Sequence, residues 1–312
     1  MVRIIAAGHL NWDVTLRVAA LPEPDGEARI RSQHRSGGGS AANVASALAG
    51  FEVSVGLIGS VGDDDHGLLA RRELEAAGVD LSGVRTVEGG ATTVKYLIVD
   101  DSGEVMVLAN DGVNEAIGPE DLDEKAIAAA AHLHLTSQRP DTARRLVDIA
   151  TDGGLTVSFD PGRRLGERDY DDLLDAVDVL FLNDREAVEA LASARAAPEE
   201  VVAGTDRVIV VKHGAAGATV YTPDGTYEHP GFGVDPVDTT GAGDAFAAGF
   251  LATTVGGMVL DPATDTETDY ERALEVANAC GALAACEEGA RTAPSQAELA
   301  RFLDEQYRDE ET

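Results

Sequence analysis

The feature that most constrains this fold is a recurrence of short apolar runs, each closed by a glycine or a polar turn: Val2 to Gly8, Val53 to Ile58, His132 to Thr136, Leu155 to Phe159, Val177 to Leu182 and Arg207 to Lys212. Runs of this kind suit strands buried on both faces. From Pro119 onward they alternate with helix-period stretches, the pattern of an α/β fold, and 312 residues suffice to bury a substantial core. Open α/β sheets bind ligands beyond the carboxyl ends of their strands, so chemistry is expected just after each run. No internal repeat or low-complexity linker interrupts the pattern.

The stretch Asp238-Thr-Thr-Gly-Ala-Gly-Asp-Ala-Phe246 carries the strongest chemical signal. Gly241, Ala242 and Gly243 let the backbone turn tightly with its N–H groups pointing one way, and apolar periodicity from Ala245 onward predicts a helix. Such N–H groups at a helix N-terminus suit a phosphate, or the charge that builds on a phosphoryl group in transfer. Asp244 at the mouth of this anion hole is placed to accept a proton from an attacking hydroxyl. For a lone Gly-x-Gly-Asp, a helix-capping aspartate would be the plainer reading.

Other polar groups follow the predicted strands. Asn11 and Asp13 flank Trp12 beyond the first run, where they either hold sugar hydroxyls or form a polar turn. Thr15 to Ser36, with Pro22, Pro24 and Gly26, reads as edge strands outside the main sheet. Gly37, Gly38 and Gly39 then open a helix that stops at Gly50, allowing close backbone approach to a ligand, with Asn43 one turn in. Gly59 to Gly67 reads as a turn before a helix over Leu68 to Ala77, and Asp63 to Asp65 as a solvated part of it. Ala91 to Val99 and Val105 to Ala109 alternate across Asp100 to Gly103 as a hairpin. Together with the earlier edge strands it would form a small β-lid from about 14–36 and 91–110, whose open edges predict a homodimer. His132 and His134 share a strand face with no third metal ligand nearby in sequence, and read as structural. Gln138 lies beyond that strand, and Asp160-Pro-Gly-Arg163-Arg164 beyond the next, where the guanidiniums pair with surface acids, a phosphate or a substrate carboxylate.

The nine-residue stretch ending at Phe246 resembles the C-terminal signature of the ribokinase-like (PfkB) carbohydrate kinases, and Gly37 through Gly67 resembles their N-terminal one. The resemblance covers essentially the whole chain. It implies one domain over 1–312, a three-layer α/β/α sandwich with a mostly parallel central sheet and a small β-sheet lid. It also implies ATP-dependent phosphorylation of a primary hydroxyl of a small sugar, with Asp244 as base and the Gly241 to Gly243 amides on the transferring group. Asn11, Asp13, Gly37, Gly38, Gly39, Asn43, Gln138 and Arg163 would then bind the acceptor. Asn183 and Glu186 match the family's Asn-x-x-Glu, which orders magnesium and phosphate through water. Lys212, Gly214, Gly217 and Asn278 fall in the nucleotide-binding part, and Asp238, Thr240, Gly289 and Ser295 in the monovalent-cation site, implying ATP, Mg2+ and K+.

Composition narrows the rest. Twenty-four basic residues against 56 acidic give a net charge of -32, and the lysines are only Lys95, Lys125 and Lys212. Such a surface repels phosphate backbones and anionic lipid, which argues against nucleic acid and membrane as partners. The lysine-poor, acid-rich balance is similar to that of proteins from high-salt cytoplasms, so a halophilic host and a cytoplasmic enzyme are expected. No apolar run approaches the ~20 residues of a membrane span. Cys280 and Cys286 fall on different faces of a helical pattern, which indicates neither a disulfide nor a metal pair. A Rossmann oxidoreductase would need Gly-x-Gly-x-x-Gly after the first strand, where this chain has His9-Leu-Asn-Trp-Asp13. A non-catalytic sugar or nucleotide sensor is the different-class alternative, against which Asp244 stands. Among acceptors, aromatic residues at 4% are sparse for stacking a nucleobase. A neutral sugar is therefore favoured over a nucleoside or a sugar acid such as 2-keto-3-deoxygluconate.

Lowering total salt should unfold the protein as carboxylate repulsion is unmasked. Circular dichroism from molar salt to dilute buffer reads this directly; an unchanged spectrum and activity would contradict a high-salt origin.

Overall fold

A computed structural model describes residues 2–102, 104–192, 196–258 and 269–310. The large sheet has nine strands in the order β13-β12-β11-β10-β9-β8-β1-β4-β5. They are β1 (Ile4–Ala7), β4 (Val55–Gly62), β5 (Val84–Val87), β8 (His132–Leu135), β9 (Thr156–Phe159), β10 (Val179–Asn183), β11 (Val208–Lys212), β12 (Ala218–Thr222) and β13 (Gly225–His229). All pairs from β5 to β11 are parallel, and β12 and β13 add an antiparallel edge. Alternate residues of each central strand enter different cores: Ile4, Ala6, Val208 and Val210 one, Ile5, Ala7, Ile209 and Val211 the other. That is why most of these runs are apolar at successive positions; in β8 and β9 the buried His132, His134 and Ser158 are exceptions that bond one another.

Helices α1 (Ser40–Gly50), α2 (Asp65–Ala76), α8 (Ala242–Leu251), α9 (Tyr270–Ala285) and α10 (Gln296–Glu310) cover the first face. The second is covered by α3 (Glu124–Ala128), α4 (Pro140–Asp152), α5 (Asp171–Ala176), α6 (Asp184–Leu191) and α7 (Pro198–Val202). The α8 and α9 helices pack through small residues, and a Cβ on Gly249 would fall 2.7 Å from Cys280 Sγ. Among the described residues no helix is long and apolar enough to cross a membrane.

A separate four-stranded sheet has the order β3-β2-β6-β7, built from β2 (Asn11–Arg17), β3 (Ser32–Gly38), β6 (Val94–Val99) and β7 (Val105–Ala109). The hairpin read from Ala91 to Ala109 is present as β6 and β7, apart from Gly103 of its turn, which lies outside the described residues. Asn11 and Asp13, read as following the first strand, lie on β2 itself. The overlooked signal was alternation: Trp12, Val14 and Leu16 pack into the core while Asn11, Asp13 and Thr15 share the other side. The turn expected over Gly59 to Gly67 is shorter, because β4 continues to Gly62 and α2 already begins at Asp65. Asp64 starts that helix, accepting from Gly67 N–H and from the Thr92 amide and hydroxyl, so it is a cap and not merely solvated.

Candidate active site

Glycine sets the geometry of both loops facing the site. At Gly38 a Cβ would lie 2.1 Å from Asp13 Oδ2, and at Gly37 2.0 Å from the Arg291 guanidinium. Gly39 takes φ 96° and leaves no space before the His9 carbonyl, so it can begin α1 only as glycine. Gly241 takes φ 82°, with its would-be Cβ 2.1 Å from Ala290 O. The helix expected from Ala245 begins at Ala242, so Asp244 stands within its first turn rather than before it. Of the three amides read as an anion hole, that of Ala242 is engaged by Thr239 O at 3.3 Å. Gly241 stands at the N-cap and Gly243 in the first turn of α8, positions whose N–H groups the helix itself does not use.

Asp244 accepts from Asn43 Nδ2 at 2.8 Å and from the Ser40 hydroxyl. Burial pushes its carboxyl up, against those hydrogen bonds and the Lys212 charge, while Asp160 adds to the rise. Lys212 Nζ pairs with Asp160 Oδ2 at 2.6 Å and would lie 3.6 Å from a Cβ on Gly243. Its ammonium is desolvated, yet Asp160, Glu186 and Asp244 outweigh that and hold it charged. Glu186 closes a reciprocal cap with Asn183 at the start of α6, each side chain accepting the other's backbone N–H at 2.9 Å. Its carboxyl is raised by burial and then by Asp160. Among the described residues no three His, Cys, Asp or Glu side chains form a metal cage. Two carboxylates beside an ammonium fit a Mg2+ carried on nucleotide phosphates, an ion that keeps much of its water.

On the acceptor side, buried polar atoms of Asn11 (Nδ2), Asp13 (Oδ1) and Asn43 (Oδ1) have no partner, and beyond β8 the same holds for Ser137 Oγ and Gln138 Oε1. Asn11 is oriented by Asn114, whose own Oδ1 accepts from Leu10 N–H. Burial raises Asp13 to about 6, opposed by Lys95 and Arg291 and reinforced by Asp244 and Asp238. Unsatisfied buried groups cost about 1–3 kcal/mol each, so a wall of them is a site for a polyhydroxylated ligand.

Asn11, Asp13, Gly37 to Gly39, Asn43 and Asp244 are thus brought together, and Gln138 completes the unpartnered wall. Arg163 is exposed, whereas its neighbour Arg164 reaches Glu115. Asn278 is buried in α9, donating to Leu274 O. Gly217, with φ 89°, packs against His229 O after the short turn from Gly214. Asp238 ties two loops, accepting from Thr240 N–H at 2.9 Å and from Gly289 N–H at 3.2 Å. Ser295 instead donates to Glu298 as the cap of α10. His132 and His134 are buried on Ser158, consistent with a structural role. Ser40, Asp160, Lys95, Asn114 and Arg291 escaped the sequence reading. Arg291 bonds Glu73 and Gly38 O, and Glu73 also takes Gly37 N–H, contacts across the whole chain that no local pattern announces.

Residues 1–297 match the pfkB family carbohydrate kinase. The chain belongs to that family. An ATP-dependent ribose-1-phosphate kinase of Halopiger xanaduensis, a halophilic archaeon, is 63% identical over 310 residues, covering 98% of this chain and all of the relative. Two solved structures share the fold of this PfkB kinase. A protein of E. coli described as a ribokinase II, in complex with ATP and Mg2+, superposes with a TM-score of 0.85 at 24% identity, over 98% of this chain and 100% of its own. Arabidopsis thaliana ribokinase, complexed with ribose and ATP, gives 0.80 at 22% identity over 97% and 99%.

Asp244→Asn keeps the Asn43 contact but accepts no proton, so turnover should fall by roughly 10² to 10⁴ with acceptor affinity largely kept; near-normal kcat would remove Asp244 from the chemistry. Ionised Asp13 accepts hydroxyls on both oxygens and protonation turns one of them into a donor, so the acceptor KM should rise as pH drops through about 6 and flatten in Asp13→Asn. The sign for folding is opposite: a raised acid contributes stability below the ordinary 3.8 and loses it as pH climbs to about 6. An acceptor KM independent of pH in the wild type would contradict the role given to Asp13.

Proposed function

We propose that this PfkB kinase transfers the γ-phosphoryl group of ATP to the primary hydroxyl of ribose 1-phosphate. The observation that carries an acceptor of this class is the wall of unpartnered atoms on Asn11, Asp13, Asn43, Ser137 and Gln138, next to the Asp244 carboxylate. The relative at 63% identity supports the choice of sugar phosphate. The neutral sugar favoured from composition gives way to a phosphorylated one, a class that aromatic content and hydroxyl-binding groups do not distinguish from a free sugar. The only primary hydroxyl of ribose 1-phosphate is on C5, so the product is the 1,5-bisphosphate.

Asp244 takes the C5 hydroxyl proton as the O–P bond forms and ADP leaves. In a loose phosphoryl-transfer transition state the nucleophile is barely bonded, so positioning by Asn43 matters more than ground-state basicity. The Gly241 and Gly243 amides and the Lys212 ammonium face the charge on the transferring group. Bound Mg2+ would neutralise the nucleotide phosphates, with Asp160 and Glu186 reaching it through water. Asp238, Thr240 and Gly289 are the residues assigned to K+, and Ser295 drops out because its hydroxyl is taken by Glu298. We assign the four-stranded sheet as a lid that carries Asn11 and Asp13 and excludes competing water.

Its edge strand β7 exposes all five residues, Val105, Met106, Val107 and Leu108 among them. An apolar edge of that kind supports pairing of two lids in a homodimer.

Kinetics with ATP against ribose 1-phosphate, ribose, fructose, adenosine and 2-keto-3-deoxygluconate, read as ADP release, test the substrate. Ribose 1-phosphate should exceed each of the others at least a hundredfold in kcat/KM; a nucleoside or free sugar in first place overturns the reading. Light scattering in molar salt should return twice the 32.4 kDa chain mass, and a monomer mass would refute the dimer.

A further inference from the structure

In a chain of net charge -32, one corner beside the acceptor wall reverses sign. Glu115 Oε1 meets His9 Nε2 at 3.0 Å, Arg164 at 3.4 Å and Arg168 at 2.5 Å. Burial opposes its ionisation, but His9 and Arg168 outweigh that and hold its carboxyl down at about 2. Lys95 joins from the small sheet. It is paired in register with Asp13 across parallel strands β2 and β6, which puts the two side chains on the same face. Among the described residues Lys95 makes no ion pair, although it acts on both Asp13 and His9. Among the described residues, Arg164 and Arg168 pair with the Glu115 carboxylate, and Lys95 acts on Asp13.

The order of these groups along the site follows from which charges act on which. Asp244 is acted on by Asn43, Asp160, Lys212 and Ser40, and His9 by Glu115, Lys95 and Arg164. Asp13 is reached by both Lys95 and Asp244, so it lies between a phosphoryl-transfer end and a second, cationic end. Gln138 belongs to the second end: its carbonyl accepts from Arg168 and from Tyr170, the residue is 1% exposed, and its side-chain oxygen has no partner. A sugar with its primary hydroxyl at Asp244 and its ring hydroxyls on Asn11 and Asp13 directs its anomeric substituent towards that end.

We propose that Lys95, Arg164 and Arg168, organised by Glu115 and bordered by His9 and Gln138, form an anion subsite that selects an acceptor bearing a phosphate at C1 over the free sugar. This rests on the ribose 1-phosphate reading above. Glu115 fixes the two guanidiniums in place, and Lys95 supplies the unpaired charge. The sequence separation of the contributors, from His9 through Lys95 and Glu115 to Arg168, hides the cluster from any local motif.

Steady-state kinetics on ribose 1-phosphate and on ribose, for the wild type, Lys95→Ala, Arg164→Ala and Lys95→Arg, test the subsite. Each alanine variant should raise the KM for ribose 1-phosphate at least tenfold with kcat within a few-fold. The ratio of kcat/KM between the two acceptors should fall by the same factor, and Lys95→Arg should recover most of it. Inorganic phosphate should compete with ribose 1-phosphate in the wild type and more weakly in both alanine variants. A wild type with no preference for the phosphorylated acceptor overturns the substrate reading and the subsite together. A strong wild-type preference retained in both alanine variants overturns the subsite alone.

Discussion

The Lys212 ammonium is the contact on which the reactive edge depends. It is the point where three separate segments bring carboxylates into a desolvated space: Asp160 after β9, Glu186 in α6 and Asp244 in α8. Burial, and then the charge of Asp160, raises both Glu186 and Asp244. Removing the one cation would leave these acids uncompensated at the edge where nucleotide phosphates add further negative charge. A lysine here, in a chain whose basic residues are otherwise nearly all arginine, fits that need: a compact charge on a flexible stem can approach the start of α8.

The acceptor side solves a different problem. Its polar atoms are held in place by contacts made before any ligand arrives, Asn114 on Asn11 and the two glycines that admit Asp13 and Arg291. The remaining valences of Asn11, Asp13, Asn43 and Gln138 are left open. A site of this kind discriminates strongly, because an acceptor lacking a hydroxyl leaves a buried group unpaired. The small sheet carries Asn11 and Asp13, and α1 carries Asn43, while Gln138 follows the central strand β8; on our proposal the cationic corner around Glu115 chooses among sugars.

Much of this was legible in the sequence, and the boundary has a physical origin. The central strands are legible as apolar runs because burial on both faces leaves room for few polar side chains, and those, as with His132, His134 and Ser158, bond one another. The glycine loops and Asp244 were legible because a backbone turn that cradles an anion requires those residues in consecutive order. The sequence leaves Asn11 and Asp13 as either hydroxyl-binding groups or a polar turn after the first strand; they lie on β2, whose alternation of Trp12 and Val14 with polar residues is the signal that places them. Arg291, Glu73, Asn114, Glu115 and Arg168 stayed hidden because each acts through a partner far along the chain. Ser295 shows the converse, a residue matching a motif by type whose hydroxyl the fold commits to a helix cap.

The central claim is that Asp244 activates the primary hydroxyl of a sugar already phosphorylated at C1. Phosphorus NMR of the product formed from ATP and ribose 1-phosphate tests it most directly. The account predicts two phosphomonoester resonances in equal amount, the C1 ester retained and a new one coupled to the C5 protons, with no excess orthophosphate. A single ester, or ATP converted to ADP and orthophosphate with the sugar unchanged, would contradict it.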